Sequence, residues 1–377
     1  MTVNLIELTQ DQRQRRRFRH HASMEKPEPR VELIAGCDIA PEPINWLWPG
    51  WLASGKLHVL AGPPGTGKTT VAAALAGTIS SGGEWPDQSA SPQGNVLIWS
   101  GEDEPADTLV PRLMAAGADL KSVFFVDKTH DQGVERSFDP ATDMQPLLAA
   151  VRAIGGIRLL IIDPLVSVVQ GDSHKNAEVR RGLQPLVTLA GEMGCAVLGI
   201  THFSKGTGGK DPVERISGSI AFGALARIVY VTAKLPDDEL CAGGRIFCRS
   251  KSNIGPDEGG FRYELRQIEL ESHPDIKASR VQWGSPVSGS ARELLTRAEE
   301  TQTNAQVRAD MPQDLWLFDY LTHQPQPATR CMEEALAAGF SKKQIRDARE
   351  RLRVVSSKAG FDGGWTWSLP EGTFSLE

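Results

Sequence analysis

Eight consecutive residues, Gly62-Pro63-Pro64-Gly65-Thr66-Gly67-Lys68-Thr69, place glycines, a lysine and a hydroxyl in the spacing GxxxxGK[ST]. Glycines let backbone N–H groups turn inward around phosphate oxygens, and a helix beginning beside the lysine adds the partial positive charge of its N-terminus. In that pattern Lys68 reaches the β- and γ-phosphates of a nucleoside triphosphate and the Thr69 hydroxyl ligates Mg²⁺, with Thr70 next along the stretch that faces the nucleotide. ATP and Mg²⁺ are the cofactors this implies. The preceding apolar run "HVL" and the following "VAAALAG" supply the strand and helix the motif needs.

Other residues fit the same chemistry. "RLLIIDPL" is an apolar strand ending in Asp163, where an acid at the strand's C-terminal edge would stand on the metal side of the phosphates. "WSGEDEP" puts Glu102, Asp103 and Glu104 directly after another strand, and one of them would polarise an attacking water. Acids at a helix start also stabilise the helix dipole, which accounts for Asp103 and Glu104 more readily than for Glu102. "THFSKGTGGKDPVER" begins as a strand ends, so His202 is placed to sense a γ-phosphate, or to serve as a structural hydrogen-bonder. The Gly/Lys-rich segment Ser204–Glu214, with Lys205 and Lys210, could touch a polyanion.

The elements that must position these residues alternate short apolar strands with helical stretches, the signal for a mostly parallel α/β sheet. Expected strands are His58–Ala61, Val96–Ser100, Val123–Val126, Leu159–Ile162 and Ala196–Thr201. Expected helices are Thr69–Ile79, Ala106–Ala116, Met144–Ile154 and Ala177–Met193. After Phe222 the pattern changes to strands joined by turns, at Arg227–Val231, Arg245–Arg249, Phe261–Leu270 and Ala278–Trp283, which predicts an antiparallel extension. "GSPVSGS" then opens a polar stretch. The expected organisation is a basic flexible arm over 1–40, an ATPase core over 41–285, a linker over 286–311 and a small domain over 312–377.

The chain has 377 residues and a formal net charge of −6, which excludes a uniformly basic nucleic-acid coat and requires any polyanion contact to be concentrated locally. Its five cysteines show no CxxC pair or zinc spacing, as suits a reducing compartment. Apolar runs fall far short of the ~18 residues of a membrane span. The N-terminal basic cluster "RQRRRFRHH" has no apolar run behind it, so a cytoplasmic location away from any membrane is expected. That cluster reads either as an arm that touches phosphates or as a solvated tail.

In the last domain Ser341 is a helix N-cap for "KKQIRDARERLRVV". Helical spacing puts Ile345, Ala348 and Leu352 on an apolar face with Lys342, Arg346, Arg349 and Arg353 in a band beside it. A hairpin follows, which predicts a winged-helix-like module. Such a stripe serves DNA binding, protein docking or simply solvation.

In their order, the phosphate loop, "SGEDE", "LLIIDPL", "THFSK", "SGSIAFGALARIVYV" and "CRSKSNIGP" make the chain from Pro43 to Leu270 resemble the RecA-like ATPases, and within them the hexameric replicative helicases of the plasmid RepA type and their phage relatives. The resemblance implies Glu102 as catalytic base, Asp163 as the Mg²⁺-side acid and His202 as the sensor that couples hydrolysis to a DNA loop. It implies a hexameric ring of identical chains in which Arg249 or Lys251, or else Arg215, reaches into a neighbour's site. In this segment the Arg and Lys order is reversed and one residue is inserted before Gly-Pro. It further implies single-stranded DNA as partner, with a replication initiator or primase alongside, in plasmid, phage or prophage replication. Two other classes stay open: a regulatory ATPase that switches protein partners, and a recombination or repair ATPase stimulated by DNA. Trp46, Trp48 and Trp51, ahead of the loop, suit apolar packing, or stacking on adenine or a neighbouring subunit.

Overall fold

The computed structural model describes residues 31–204, 206–216, 220–235, 244–298, 312–322, 324–358 and 364–370. The chain divides into two units, Met1–Pro43 and Ile44–Glu377. The basic cluster of the first unit lies outside the described residues. Its described part holds one short 3₁₀ turn, Gly36–Asp38, and exposes Val31, Leu33, Ile34 and Ile39.

The second unit opens on a small hairpin, β1 (Trp46–Trp48) and β2 (Leu52–Ala53). The main strands follow as β3 (Leu57–Ala61), β4 (Asn95–Ser100) and β5 (Val123–Phe125). A separate hairpin, β6 (Lys128–Asp131) with β7 (Val134–Ser137), is not among the expected strands, although its Gln132-Gly133 turn has both residues at positive φ, the hairpin type that matches strand twist. Then come β8 (Ile157–Asp163), β9 (Ala196–Ile200), β10 (Ile228–Lys234), β11 (Arg245–Ser252), β12 (Gly260–Leu270) and β13 (His273–Val287). They form a nine-stranded sheet in the order β13-β12-β11-β10-β3-β9-β8-β4-β5. From β10 to β5 every pairing is parallel, and β11, β12 and β13 extend the sheet antiparallel. This is the expected α/β class, a mostly parallel sheet with an antiparallel extension.

Alternate residues of the central strands enter two cores. Leu60, Ile98, Ile161 and Leu198 face one, while Val59, Leu97, Ile162 and Val197 face the other. Strands buried on both faces need cover on both. On one side lie α1 (Lys68–Ser81) and α2 (Val110–Ala115); on the other lie α3 (Met144–Ile154), α4 (Asn176–Met193) and α5 (Ile220–Leu225). In α3, Met144, Leu147, Leu148 and Val151 make one apolar stripe. By contrast α1 is buried nearly all round, because the β12–β13 hairpin packs over its outer side. Ile268, Leu270 and Ala278 of that hairpin meet Met114 and Ala115 of α2.

Three boundaries differ from expectation. The stretch before α2 is a π turn over Pro105–Leu109, in which Val110 donates to the Pro105 carbonyl. Pro111 next to it has no N–H with which to continue a regular pattern backward. Strand β13 runs four residues beyond Trp283, its mostly exposed side chains hiding it from a reading based on apolar content. Residues 291–298, expected as linker, form α6, whose Ala291, Leu294, Leu295 and Ala298 are buried against Val231, Ala233, Ile246 and Cys248. Of the expected linker, 299–311 lie outside the described residues.

Within the last stretch, α7 (Pro312–Thr322), α8 (Ala328–Ala337) and α9 (Lys342–Arg351) enclose Leu317, Leu321, Cys331, Ala335, Ile345 and Ala348. Strands β14 (Gln326–Pro327), β15 (Val355–Lys358) and β16 (Trp365–Ser368) form an antiparallel sheet in the order β14-β16-β15. Ser341 and Gln344 make a reciprocal capping box that starts α9. A bidentate pair, buried Asp314 with Arg351 at 2.7 and 2.8 Å, ties α7 to α9. Among the described residues no helix is long and apolar enough to cross a membrane.

Candidate functional site

The loop between β3 and α1 begins at Gly62, where the backbone passes so close to β10 that a Cβ would lie 2.6 Å from the Thr232 carbonyl oxygen. Gly65 and Gly67 take φ of 73° and 87°, a region that glycine enters without steric cost. Lys68 follows and curls back beneath the loop. Its ammonium donates to the carbonyls of Gly62 at 3.1 Å and Pro63 at 3.0 Å, and to His202 Nδ1 at 3.2 Å. That last bond requires a neutral imidazole, and burial together with the Lys68 charge holds the His202 pKa below its ordinary value. Burial also brings Lys68 down to about 8, against the opposing pull of Asp163 and Glu102.

Asp163 closes β8 and accepts from the Thr69 hydroxyl at 2.9 Å. Burial raises its pKa to about 6, aided by Glu102 and Asp103 and opposed by the Thr69 hydrogen bond. The neighbouring β4 end is pinned to it, with the Gly101 N–H donating to the Asp163 carbonyl at 2.7 Å. Ser100 Oγ then accepts from the Asp103 N–H at 2.9 Å, shaping the acidic turn. Asp103 turns away to Arg112 of α2 at 2.7 Å. Glu102 is exposed, and its charge acts on Lys68, Asp163 and His202 alike. Glu104 precedes the π turn without capping it. The geometry therefore separates three adjacent acids that the sequence leaves nearly equivalent.

Lys68, Thr69, Asp163, Glu102 and His202 thus share the C-terminal edge of the parallel strands, where α/β sheets bind ligands. The donor set suits Mg²⁺ with a nucleotide: Thr69 and Asp163 set a hydroxyl and a carboxylate side by side and would hold the ion together with phosphate oxygens and water. Among the described residues no group of three or more His, Cys, Asp or Glu forms a self-sufficient metal cage.

The other expected residues lie elsewhere. Arg249 donates to the carbonyls of Glu258 and of Gly50, and its guanidinium stacks over Trp51 at 4.1 Å. Lys251 donates to the carbonyls of Gly223, Ala224 and Ala226 at 2.9, 3.2 and 3.2 Å, closing the end of α5. Both sit toward the opposite end of β11 from the phosphate loop, paired with Tyr230 and Val229. Arg215 is buried, with its guanidinium 4.5 Å from the Phe203 ring centre. These side chains are committed within their own chain, which a finger reaching into a neighbour would have to give up. Lys210 is exposed in a turn, and Lys205 lies outside the described residues. On α9, Lys342 and Arg346 are exposed, while Arg349 stacks over Trp367 at 5.1 Å. Arg353 is a correction to the stripe: α9 ends at Arg351, and Arg353 sits beyond it at φ 52°. Trp48 and Trp51 are buried among Trp85, Phe247 and Phe261, so they pack rather than stack on a base.

Sequence patterning does not single out Thr232, Tyr263 and Leu265, which touch the loop from the antiparallel side. The Tyr263 hydroxyl donates to the Thr66 carbonyl at 2.7 Å, Thr232 Oγ1 lies 2.8 Å from Thr66 Oγ1, and Leu265 fills the space at Gly67. A single threonine in "IVYVTAK" is the one local hint.

Residues 23–208, just under half of the chain, match the family model described as an AAA domain. Among solved structures, a KaiC-like protein from the hyperthermophilic archaeon Pyrococcus horikoshii OT3 is similar at 19% identity, with 63% of this chain and 99% of that one covered and a TM-score of 0.41. The loop motif in its strand–loop–helix setting lies at the edge of a mostly parallel sheet, within the residues that match the AAA-domain model.

Proposed function

We propose that the chain hydrolyses ATP and spends the energy on single-stranded DNA, as a helicase or translocase built from a ring of identical copies and serving plasmid, phage or prophage replication. The observation that carries the hydrolytic part is the convergence of Lys68, Thr69, Asp163, Glu102 and His202 on one sheet edge. Lys68 exchanges its loop carbonyls for β- and γ-phosphate oxygens. Glu102 accepts the proton of a water attacking the γ-phosphorus, and ADP leaves in line. His202 exchanges the Lys68 ammonium for the γ-phosphate and so registers whether that phosphate is present. Thr69 and Asp163 would hold Mg²⁺, which when bound neutralises charge on the β- and γ-phosphates.

The DNA part rests on placement. Lys210 stands on the segment that leaves His202, and Lys342 and Arg346 stand exposed on α9. A second reading, a regulatory ATPase that switches protein partners, is favoured by the engagement of Arg249 and Lys251 with carbonyls of their own chain. ATP turnover with and without single-stranded DNA, together with the mass of the assembly in solution, separates the two. Turnover raised several-fold by DNA in a closed oligomer is expected. DNA-independent turnover by a monomer would replace the helicase reading with the regulatory one.

A further inference from the structure

Within the phosphate loop, Thr66 is 1% exposed and held on both its side chain and its carbonyl. Its hydroxyl donates to the Pro63 carbonyl at 3.0 Å and sits 2.8 Å from Thr232 Oγ1. Its carbonyl accepts from Tyr263 at 2.7 Å. Thr232 and Tyr263 are themselves buried, on β10 and β12, and Thr232 also bonds to the Tyr263 hydroxyl. Burial holds that hydroxyl well above its ordinary pKa, so it stays a donor across the physiological range. Two residues on, Leu265 closes the space over Gly67.

A trans peptide is planar, with its C=O and N–H pointing in opposite directions. Fixing the Thr66 carbonyl toward Tyr263 therefore aims the Gly67 N–H away from the Tyr263 hydroxyl of β12. Gly67 sits at φ 87°, from which a free loop could rotate at little cost. We infer that Tyr263, backed by Thr232, is a positioning residue for phosphate recognition: it sets the 66–67 peptide so that the Gly67 N–H is already directed at the nucleotide's phosphates before the nucleotide arrives. The antiparallel extension is then part of the binding device, beyond its role in covering α1.

This inference rests on the nucleotide reading but not on the DNA reading, and its test needs binding alone. The full-length chain, wild type and Tyr263→Phe, is titrated calorimetrically with Mg·ATP and with inorganic tripolyphosphate, and the melting temperature of each unliganded protein is recorded. Tyr263→Phe should weaken both ligands by about tenfold, roughly 1.4 kcal/mol. A merely structural tyrosine would lower the melting temperature and leave the affinity of the folded fraction untouched. Thr232→Val, which keeps the shape and removes the hydroxyl, is the second variant should Tyr263→Phe fold poorly. It should weaken the same ligands about threefold, and Thr232→Ser should restore them. Phosphate affinities within twofold of wild type in folded variants would overturn the positioning role while leaving the ATPase reading intact. Absence of Mg·ATP binding by the wild-type chain would overturn both.

Discussion

Cations at the two ends of the sheet donate to backbone carbonyls, and they behave as opposites. At the loop end, Lys68 holds two carbonyls of its own loop and one imidazole, with Asp163 and Glu102 close enough to act on its charge. Toward the other end of β11, Lys251 spends its donors on three carbonyls that end α5, and Arg249 is spread between two carbonyl oxygens and the face of Trp51. Lys68 is desolvated in a concave loop beside acids and a histidine, so exchanging carbonyls for phosphate oxygens gains charge compensation. The partners of Arg249 and Lys251 are the ends of neighbouring elements, so release would undo local structure. A cation is marked for chemistry less by its bonds than by what replaces them.

The contrast can be broken most severely at Lys68. Lys68→Ala should take ATP binding and turnover below detection, while Glu102→Gln should keep binding and lose turnover by roughly 10²–10⁴. Asp103→Asn, which gives up the Arg112 pair and a minor charge effect on Asp163, should stay near wild type in steady-state assays. Equal loss of binding in Lys68→Ala and Glu102→Gln would remove Glu102 from the base role.

Next in size is the pH dependence. In the proposed mechanism Asp163 acts ionised, and it is protonated below about 6 in the free chain, whereas Lys68 acts charged and loses its proton above about 8. kcat/KM should therefore rise as pH increases through about 6 and fall as it increases through about 8, changing up to tenfold per unit outside that window. A flat profile across both values would place the site's charge control elsewhere.

At the opposite end, Arg249→Ala and Lys251→Ala should each cost about 1–3 kcal/mol of stability and a few degrees of melting temperature, with ATP affinity nearly unchanged. Unchanged melting, abolished turnover and recovery on mixing with Lys68→Ala subunits would reverse the comparison and make that end a finger acting in trans. The smallest effect is expected on α9, where Lys342→Glu with Arg346→Glu should weaken DNA capture and flatten its salt dependence, by about one unit of slope for each phosphate no longer neutralised. Arg349 is the wrong probe there, because its stacking on Trp367 mixes stability with binding.

How much is legible in the chain follows from range. The strand–loop–helix around Lys68 and the acid at the end of β8 are local patterns, complete within a dozen residues. Glu102 stands out only weakly, since distinguishing it from Asp103 needs the position of Arg112 on the next helix. Helix α6 reads as linker because four buried residues among polar ones are a weak signal until the sheet they cover is in place. Strand β13 reads short because an exposed hairpin needs few apolar residues.

By itself the sequence determined the fold class and the places of the glycine-rich loop, Asp163 and the strand end that leads to His202, because each rests on spacing within one element or its immediate turn. Tertiary structure alone decided which cations are free to meet a ligand and which are held, and it alone brought Thr232 and Tyr263 to Thr66 across separations of 166 and 197 residues. Hydrogen bonds made across such distances leave no periodicity in the chain, since they depend on strand order and register, and those are set by how the whole sheet packs.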